Sequence, residues 1–533
     1  MSQADQGLHP FLLKMAILKK LKDGFFVLES LVTRSSARML HLTHLNANGS
    51  AQNASWATVG WSAFVILSLI AGFIAMEAPA PPLLLLGAGL AVLFAYRYPY
   101  ATYGLFVACV PLLGLTISLS TGELAIGSRA FGGAIDISVG EVVAMTLLAA
   151  WALKVFMLWL RRSDISWKPW MPLVWPVAAL VGAHMLSAWS PFAPDRLLVF
   201  KYAIRPVLWS YLLYVLLTVN IIRTRRRLMM ALGVVAATGL ASALMGFISL
   251  GLPGAQMQLL PRAHPLGIFG FMPLGDNHNQ LAEWLAVTVP STLALALLSL
   301  RARTRRLLVI AALFQLAIAL LTFARTVWIV FAFQALCAGW FVWRDAFAKW
   351  IRPALIGAVI LLPVAGAMTA FSSSALVQSS TTTRVVLTEI AWSLWTSSPW
   401  LGVGAGTFVD RVSATWIFAT EFGAPLDAHG LLQKILAETG LIGLAALAWL
   451  VAATIRFIQT TRAAFASRRT DWQIFTLLAI STGGALLYQL FNTNYWSGKM
   501  WLPLGLMLAA ARALQRVRAE NSEEKGLVVS GKS

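Results

Sequence analysis

Long apolar runs, separated by short polar or basic connectors, set the pattern of this chain. About 14 of them approach the ~20 residues needed to cross a hydrocarbon core, starting near Trp61, Pro81, Ala101, Val139, Met171, Pro206, Leu228, Gln280, Leu307, Thr326, Pro353, Leu431, Phe475 and Met500. Backbone in lipid must satisfy its own hydrogen bonds, so such runs predict helices. The expected fold class is therefore all-α, a polytopic membrane helix bundle carrying one large, mostly helical extramembrane loop. The pattern divides the chain into an amphipathic segment and linker (1–59), spans 1–11 (60–371), the loop (372–428), spans 12–14 (429–514) and a tail (515–533). Within the loop, Val386, Leu387, Ile390, Ala391 and Leu394 recur at helical spacing and predict an amphipathic helix over Arg384–Ser397.

Composition agrees: 59% of residues are hydrophobic and 12% charged, with 22 tryptophans, and the mean hydropathy is +0.74. These values exclude an ordinary soluble globule. The net charge of +20 raises the question of nucleic acid, which its distribution answers. Basic residues lie in alternate connectors: Arg161–Arg162, Arg223–Arg227, Arg301–Arg306, Arg344–Arg352 and Arg456–Arg469. That is positive-inside patterning, not a basic face, and it assigns those connectors and both ends of the chain to the cytoplasm. Cys109 and Cys337 fall inside apolar runs and read as small apolar residues.

The unusual polar residues gather on the other side. Arg196, Lys201 and Arg205 surround the sixth run; Arg262, Arg325, Arg384 and Arg411 follow. Arginine at an outer membrane edge is unfavourable without an anion, and its planar fork suits phosphate oxygens. Snorkelling or pairing with Asp195, Asp276 or Glu389 is the plainer reading. Asn277, His278 and Asn279 open the eighth run, as helix caps or substrate contacts. His429 opens the twelfth run, with Glu438 nine residues on inside it, where a carboxylate needs a partner such as an outer arginine. Gly402, Gly404 and Gly406 lack the strand context of a dinucleotide fingerprint and predict close backbone approach to the membrane surface or a substrate. The sequence contains no phosphate-binding P-loop and no His-Glu-x-x-His zinc motif.

These segments resemble the O-antigen ligase and polymerase superfamily of bacterial envelope glycosyltransferases. The matching pieces are Asn277-His278-Asn279-x-Leu-Ala, Thr322-Phe-Ala-Arg325, Ser398-Pro399-x-x-Gly402-x-Gly404-x-Gly406-x-Phe408, and His429 with Glu438, Gly440 and Gly443. The resemblance implies an inner-membrane enzyme that transfers a glycan from undecaprenyl diphosphate to an acceptor hydroxyl, on lipid A core or a growing polysaccharide. Transfer would occur at the periplasmic face, inverting at the sugar, without metal or other cofactor. It implies His429 as base, with His278 as the alternative. Arg325 and Arg205 would hold the diphosphate, and Arg196, Lys201, Asn277, His278, Asn279, Arg384 and Glu438 would contact substrate. Gly430 stands where many relatives have Asn, and Ala324 where many have Ser. A lipid-linked oligosaccharide flippase is the rival expectation; its polar residues would sit near the midplane of several spans.

Overall fold

The computed structural model describes residues 81–120, 134–160, 169–194, 196–252, 262–267, 271–275, 277–349, 375–415, 427–493 and 497–530. The expected amphipathic segment and the runs near Trp61 and Pro353 lie outside the described residues, as do Asp195 and Asp276. The chain divides into Met1–Gly89 and Leu90–Ser533, and the packing below is that of the second unit.

The helices are α1 (Pro81–Arg97), α2 (Pro99–Cys109), α3 (Val139–Leu160), α4 (Val174–Leu186), α5 (Arg196–Ile204), α6 (Leu217–Ile221), α7 (Arg225–Ser249), α8 (His278–Leu298), α9 (Ala302–Leu321), α10 (Arg325–Phe341), α11 (Ala375–Ser397), α12 (Phe408–Ser413), α13 (Leu431–Ala464), α14 (Arg469–Gln489) and α15 (Gly498–Ser530). Among the described residues six helices are long and apolar enough to cross a membrane: Val139–Leu160, Tyr202–Ile221, Arg225–Ser249, His278–Leu298, Ala302–Leu321 and Leu431–Ala464. Gly87–Arg97, Val174–Trp189 and Arg325–Phe341 are shorter apolar helices. The run from Ala101 forms only the 11 residues of α2, about 16 Å of helix. The runs near Phe475 and Met500 form α14 and α15.

The all-α expectation needs one correction. Thr116–Ser120 (β1) and Ala134–Ser138 (β2) pair antiparallel, with Thr116 opposite Ser138. Ile117 and Leu119 alternate with polar residues on β1, as Ile135 and Ile137 do on β2. This period of two was hidden inside a stretch that otherwise reads as a loop.

At the centre lies α8, packed against α7, α9 and α14. It contains Pro290, which cannot donate to the carbonyl of Ala286 four residues back. Gln334 of α10 replaces that donor, its Nε2 donating to Ala286 O at 2.9 Å. The hydroxyl of Thr288 likewise donates to Gln315 Oε1 at 2.8 Å. In lipid such substitutions keep a proline-bearing helix satisfied. Pro206 perturbs its own helix differently: two π-helical stretches, Arg205–Trp209 and Tyr211–Leu216, join α5 to α6. Wider turns of this type accommodate a lost backbone donor and are frequent at functional sites.

Candidate active site

Helix α13 is broken at Gly440, whose φ of 62° and ψ of −157° are closed to side chains. The break strands backbone groups, and the glycine-rich loop satisfies them. Val403 N–H donates to Ala437 O at 2.9 Å and Gly404 N–H to Glu438 O at 3.0 Å; Leu441 and Ile442 N–H donate to Pro399 O at 2.8 Å and Trp400 O at 3.3 Å. A Cβ at Gly440 would lie 2.4 Å from Trp400 O, and one at Gly402 would lie 2.3 Å from the Glu438 carbonyl carbon. The close approach expected of these glycines is made to the protein itself: Gly402 to α13 and Gly406 to Tyr202 of α5, where a Cβ would lie 2.4 Å from the ring. Side chains beyond α4 hold the loop from below: Ser190 Oγ donates to Gly402 O at 2.5 Å, and Ser187 Oγ accepts from Ala405 N–H at 2.9 Å. Arg411 donates to the carbonyl of Phe192, a structural tie rather than a free cation.

Glu438, 1% exposed, sits beneath this loop. It accepts from Phe408 N–H at 3.2 Å, and Lys434 Nζ lies 3.8 Å away. Lys434 also bonds Asp427 Oδ2 at 2.5 Å. Glu438 therefore finds its cation one turn back on its own helix, which corrects the expected pairing with an outer arginine. Asp410 of α12 feels the same carboxylate: burial and Glu438 push its pKa up to about 7, with Arg411 pulling the other way.

His429 lies just ahead of α13. The predicted amphipathic helix is present and longer, taking in the Ser/Thr-rich stretch from Ala375; Leu387 and Ala391 pack with Phe408, Val412, Ala428 and Ala437. Gln433 Nε2 donates to Thr388 Oγ1 at 2.7 Å and sets the register of α11 on α13. Arg384, one turn before Thr388, thereby comes within electrostatic reach of His429. Burial and the Arg384 charge hold the His429 pKa below the ordinary histidine range, while Asp427 raises it.

Two more arginines join Arg384. Arg262 is fixed at the end of α9, its Nε donating to Thr322 O at 2.6 Å and its Nη2 to Phe323 O at 3.3 Å. These carbonyls lie past the last turn of α9, where the chain turns through Phe323 at φ 51°. Arg325 opens α10 immediately afterwards and is exposed. Burial and the charge of Arg325 lower the pKa of both Arg262 and Arg384. The Arg384 Nε is sealed from solvent and has no hydrogen-bond partner among the described residues. Arg325 thus acts on both Arg262 and Arg384, and Arg384 in turn on His429.

Other candidates fall at varying distance from this cluster. His278 lies near Arg262 and His264, at its rim. Asn277 is the N-cap of α8, accepting from Asn279 N–H at 2.9 Å, and Asn279 O accepts from Tyr488 Oη at 2.8 Å. Tyr488, which the sequence did not single out, is in turn within reach of Arg384. Arg205 lies at the head of the π-helical stretch near Tyr214, which also feels Glu141. Arg196 is exposed on α5, and the Lys201 side chain lies outside the described residues. A second buried knot, also missed, links Lys499 to Glu283 at 3.7 Å and Gln489 to Glu283 at 2.5 Å. A glutamate three residues into the eighth apolar run and a lysine at the edge of the last one were its signals, but nothing in either segment joins them.

Residues 307–448 match the family model described as O-Antigen ligase. That stretch contains Arg325, Arg384, the glycine-rich loop, His429 and Glu438. No curated protein matches the chain.

Proposed function

We propose that this chain, similar over residues 307–448 to the O-antigen ligases, is a multi-pass bacterial membrane glycosyltransferase. Its donor is a glycan on undecaprenyl diphosphate, and its acceptor is a hydroxyl of lipid A core or of a growing polysaccharide. The observation that carries this reading is the set Arg262, Arg325 and Arg384, in which the Arg325 charge lowers the pKa of the other two and Arg384 lowers that of His429. Crowded cations of this kind are stabilised by an anion, and a diphosphate supplies two negatively charged groups in line. As the bond between the anomeric carbon and the diphosphate oxygen breaks, charge builds on the leaving oxygens, where preorganised guanidinium groups stabilise it. The acceptor oxygen forms the new bond from the opposite face, giving inversion. His429 Nδ1 or Nε2 takes the acceptor proton and later returns it to solvent. Arg325 and Arg384 are the direct diphosphate contacts, with Arg262 positioned behind them; Arg205 is a further contact for the same lipid. The positive charge is supplied by arginines, so transfer proceeds without added divalent ion, at the periplasmic face of the inner membrane.

The flippase reading is weaker for a specific reason. Broken helices also mark transporters, where the break lines a substrate cavity. Here the break at Gly440 is filled by the chain's own residues 399–404. The size profile of lipid-linked and surface glycans in a deletion strain, complemented by wild type or by His429→Ala, tests the proposal. Long polymer stranded on the carrier in the mutant identifies a ligase, and single repeats identify a polymerase. Equal restoration by both versions would count against catalysis by His429.

A further inference from the structure

At the opposite end of α7 the structure contains a cavity of about 320 Å³ whose lining includes Tyr96, Tyr100, Trp151, Lys154, Arg223 and Arg227. It lies where α1, α3 and α6 end and α2 and α7 begin. Helix α7 runs from this cavity to Ser249, whose hydroxyl accepts from His264 N–H at 3.0 Å beside Arg262. From Arg227 to Ser249 is about 33 Å at helical rise, so the cavity and the arginine cluster lie a bilayer thickness apart.

Three of the cavity's side chains are cationic and, among the described residues, none that line it is acidic. The arginines are held in place. Arg227 lies over the Tyr100 ring, 4.1 Å from its centroid, and donates to Ile221 O at 3.4 Å. Arg223 Nε donates to Asn220 O at 2.7 Å. Asn220 is itself locked, its Nδ2 donating to Trp170 O at 3.0 Å and Leu216 O at 2.9 Å. The first turn of α7, capped by Thr224, adds its dipole with the positive end toward the same space. Fixed guanidinium groups, a lysine and a helix N-terminus around one cavity form an anion receptor of the size of a phosphate with its glycerol.

We propose that this cavity binds the phosphate of an anionic phospholipid headgroup from the inner leaflet. The exposed Tyr96 and Tyr100 stand at headgroup level, as aromatic residues do at membrane interfaces. Basic pockets between helices on the cytoplasmic side select anionic lipid over zwitterionic lipid by charge. The assignment to the inner leaflet rests on positive-inside patterning of the Arg223–Arg227 connector and is independent of the transfer reaction.

The test is native mass spectrometry of the full chain in detergent, titrated with phosphatidylglycerol, phosphatidylcholine or inorganic phosphate. Wild type is expected to retain one phosphatidylglycerol under conditions that strip phosphatidylcholine. Lys154→Gln with Arg227→Gln should weaken that retention roughly 30-fold. Arg303→Gln with Arg306→Gln, the same change of charge in the first turns of α9 and outside the cavity, should leave it unchanged. Equal loss in both double variants, or equal retention of the two lipids by wild type, would overturn the site. Displacement of phosphatidylglycerol by inorganic phosphate would overturn the lipid as occupant and assign the site to a soluble phosphate.

Discussion

Two charged groups meet around the start of α13, and they are built in opposite ways. Lys434 lies between Asp427 and Glu438 at 2.5 and 3.8 Å, and Glu438 takes a backbone amide as well. Every large charge there has a counter-charge, and Lys434 and Glu438 are buried. Elsewhere Arg325 repels both Arg262 and Arg384, and Arg384 leaves its Nε without an acceptor among the described residues. A compensated buried knot holds a fold together. An uncompensated cluster at an accessible edge costs stability unless something from outside completes it. The comparison separates the residues that shape the site from those that await a substrate.

The largest effect should come from the base proposed for the transfer. His429→Ala is expected to lower turnover about 10²–10⁴-fold while lipid-linked donor still binds. The sign of its pH dependence follows from its surroundings. The neutral ring is the active form, so the rate is lost as pH falls through the His429 pKa. Burial and Arg384 hold that value below the ordinary ~6.5, extending activity toward acid. Arg384→Gln removes one of the two lowering causes, and the acid limb of its residual activity should move to higher pH. An unmoved limb would separate His429 from Arg384 and return His278 as the base.

Next in size is the clamp itself. Arg325→Ala should lower transfer about 10²–10³-fold with the protein still inserted and normally stable, since an uncompensated cation contributes little to the fold. Measured by thermal unfolding alongside activity, wild-type stability with lost transfer sharpens the contrast. Loss of stability in parallel with activity would place Arg325 with the structural charges.

The converse variant probes the knot. Lys434→Met leaves Asp427 and Glu438 without their cation, a change that costs about 3–5 kcal/mol when a buried pair is broken. The expected outcome is a sharply lower yield of folded protein. Lys434→Met combined with Glu438→Gln should recover part of it, because the stranded charge is then gone. A normally folded single variant with reduced activity would move Lys434 into the site.

How much of this contrast could be read from the chain follows from the sequence distance between partners. The helix under Arg384 was legible, because Leu387, Ile390, Ala391 and Leu394 repeat locally. His429 and Arg325 stood out as polar residues at the edges of apolar runs. The partner of Glu438 was misassigned although Lys434 stands one turn back at the ordinary i,i+4 spacing, because the arginines at the outer edge offered competing cations for the same carboxylate. The replacement of Pro290's missing donor by Gln334, 44 residues on, leaves no trace in either segment alone. Neither does the cavity around Arg227, where positive-inside patterning explains the charge so fully that nothing in sequence asks for more.

The smallest effect should fall on Asn277, which the motif offers as a substrate contact and the structure uses as the cap of α8. Capping asparagine replaced by alanine costs about 1 kcal/mol, and aspartate, which accepts the same N–H, should restore it. Asn277→Ala is therefore expected to lower the unfolding temperature slightly and leave turnover near wild type, with Asn277→Asp close to wild type in both. Transfer that collapses in Asn277→Ala and stays low in Asn277→Asp, at unchanged stability, would mean that the amide N–H₂ is read by the glycan. The contrast between completed and uncompleted polar groups would then extend from the three arginines to the mouth of α8.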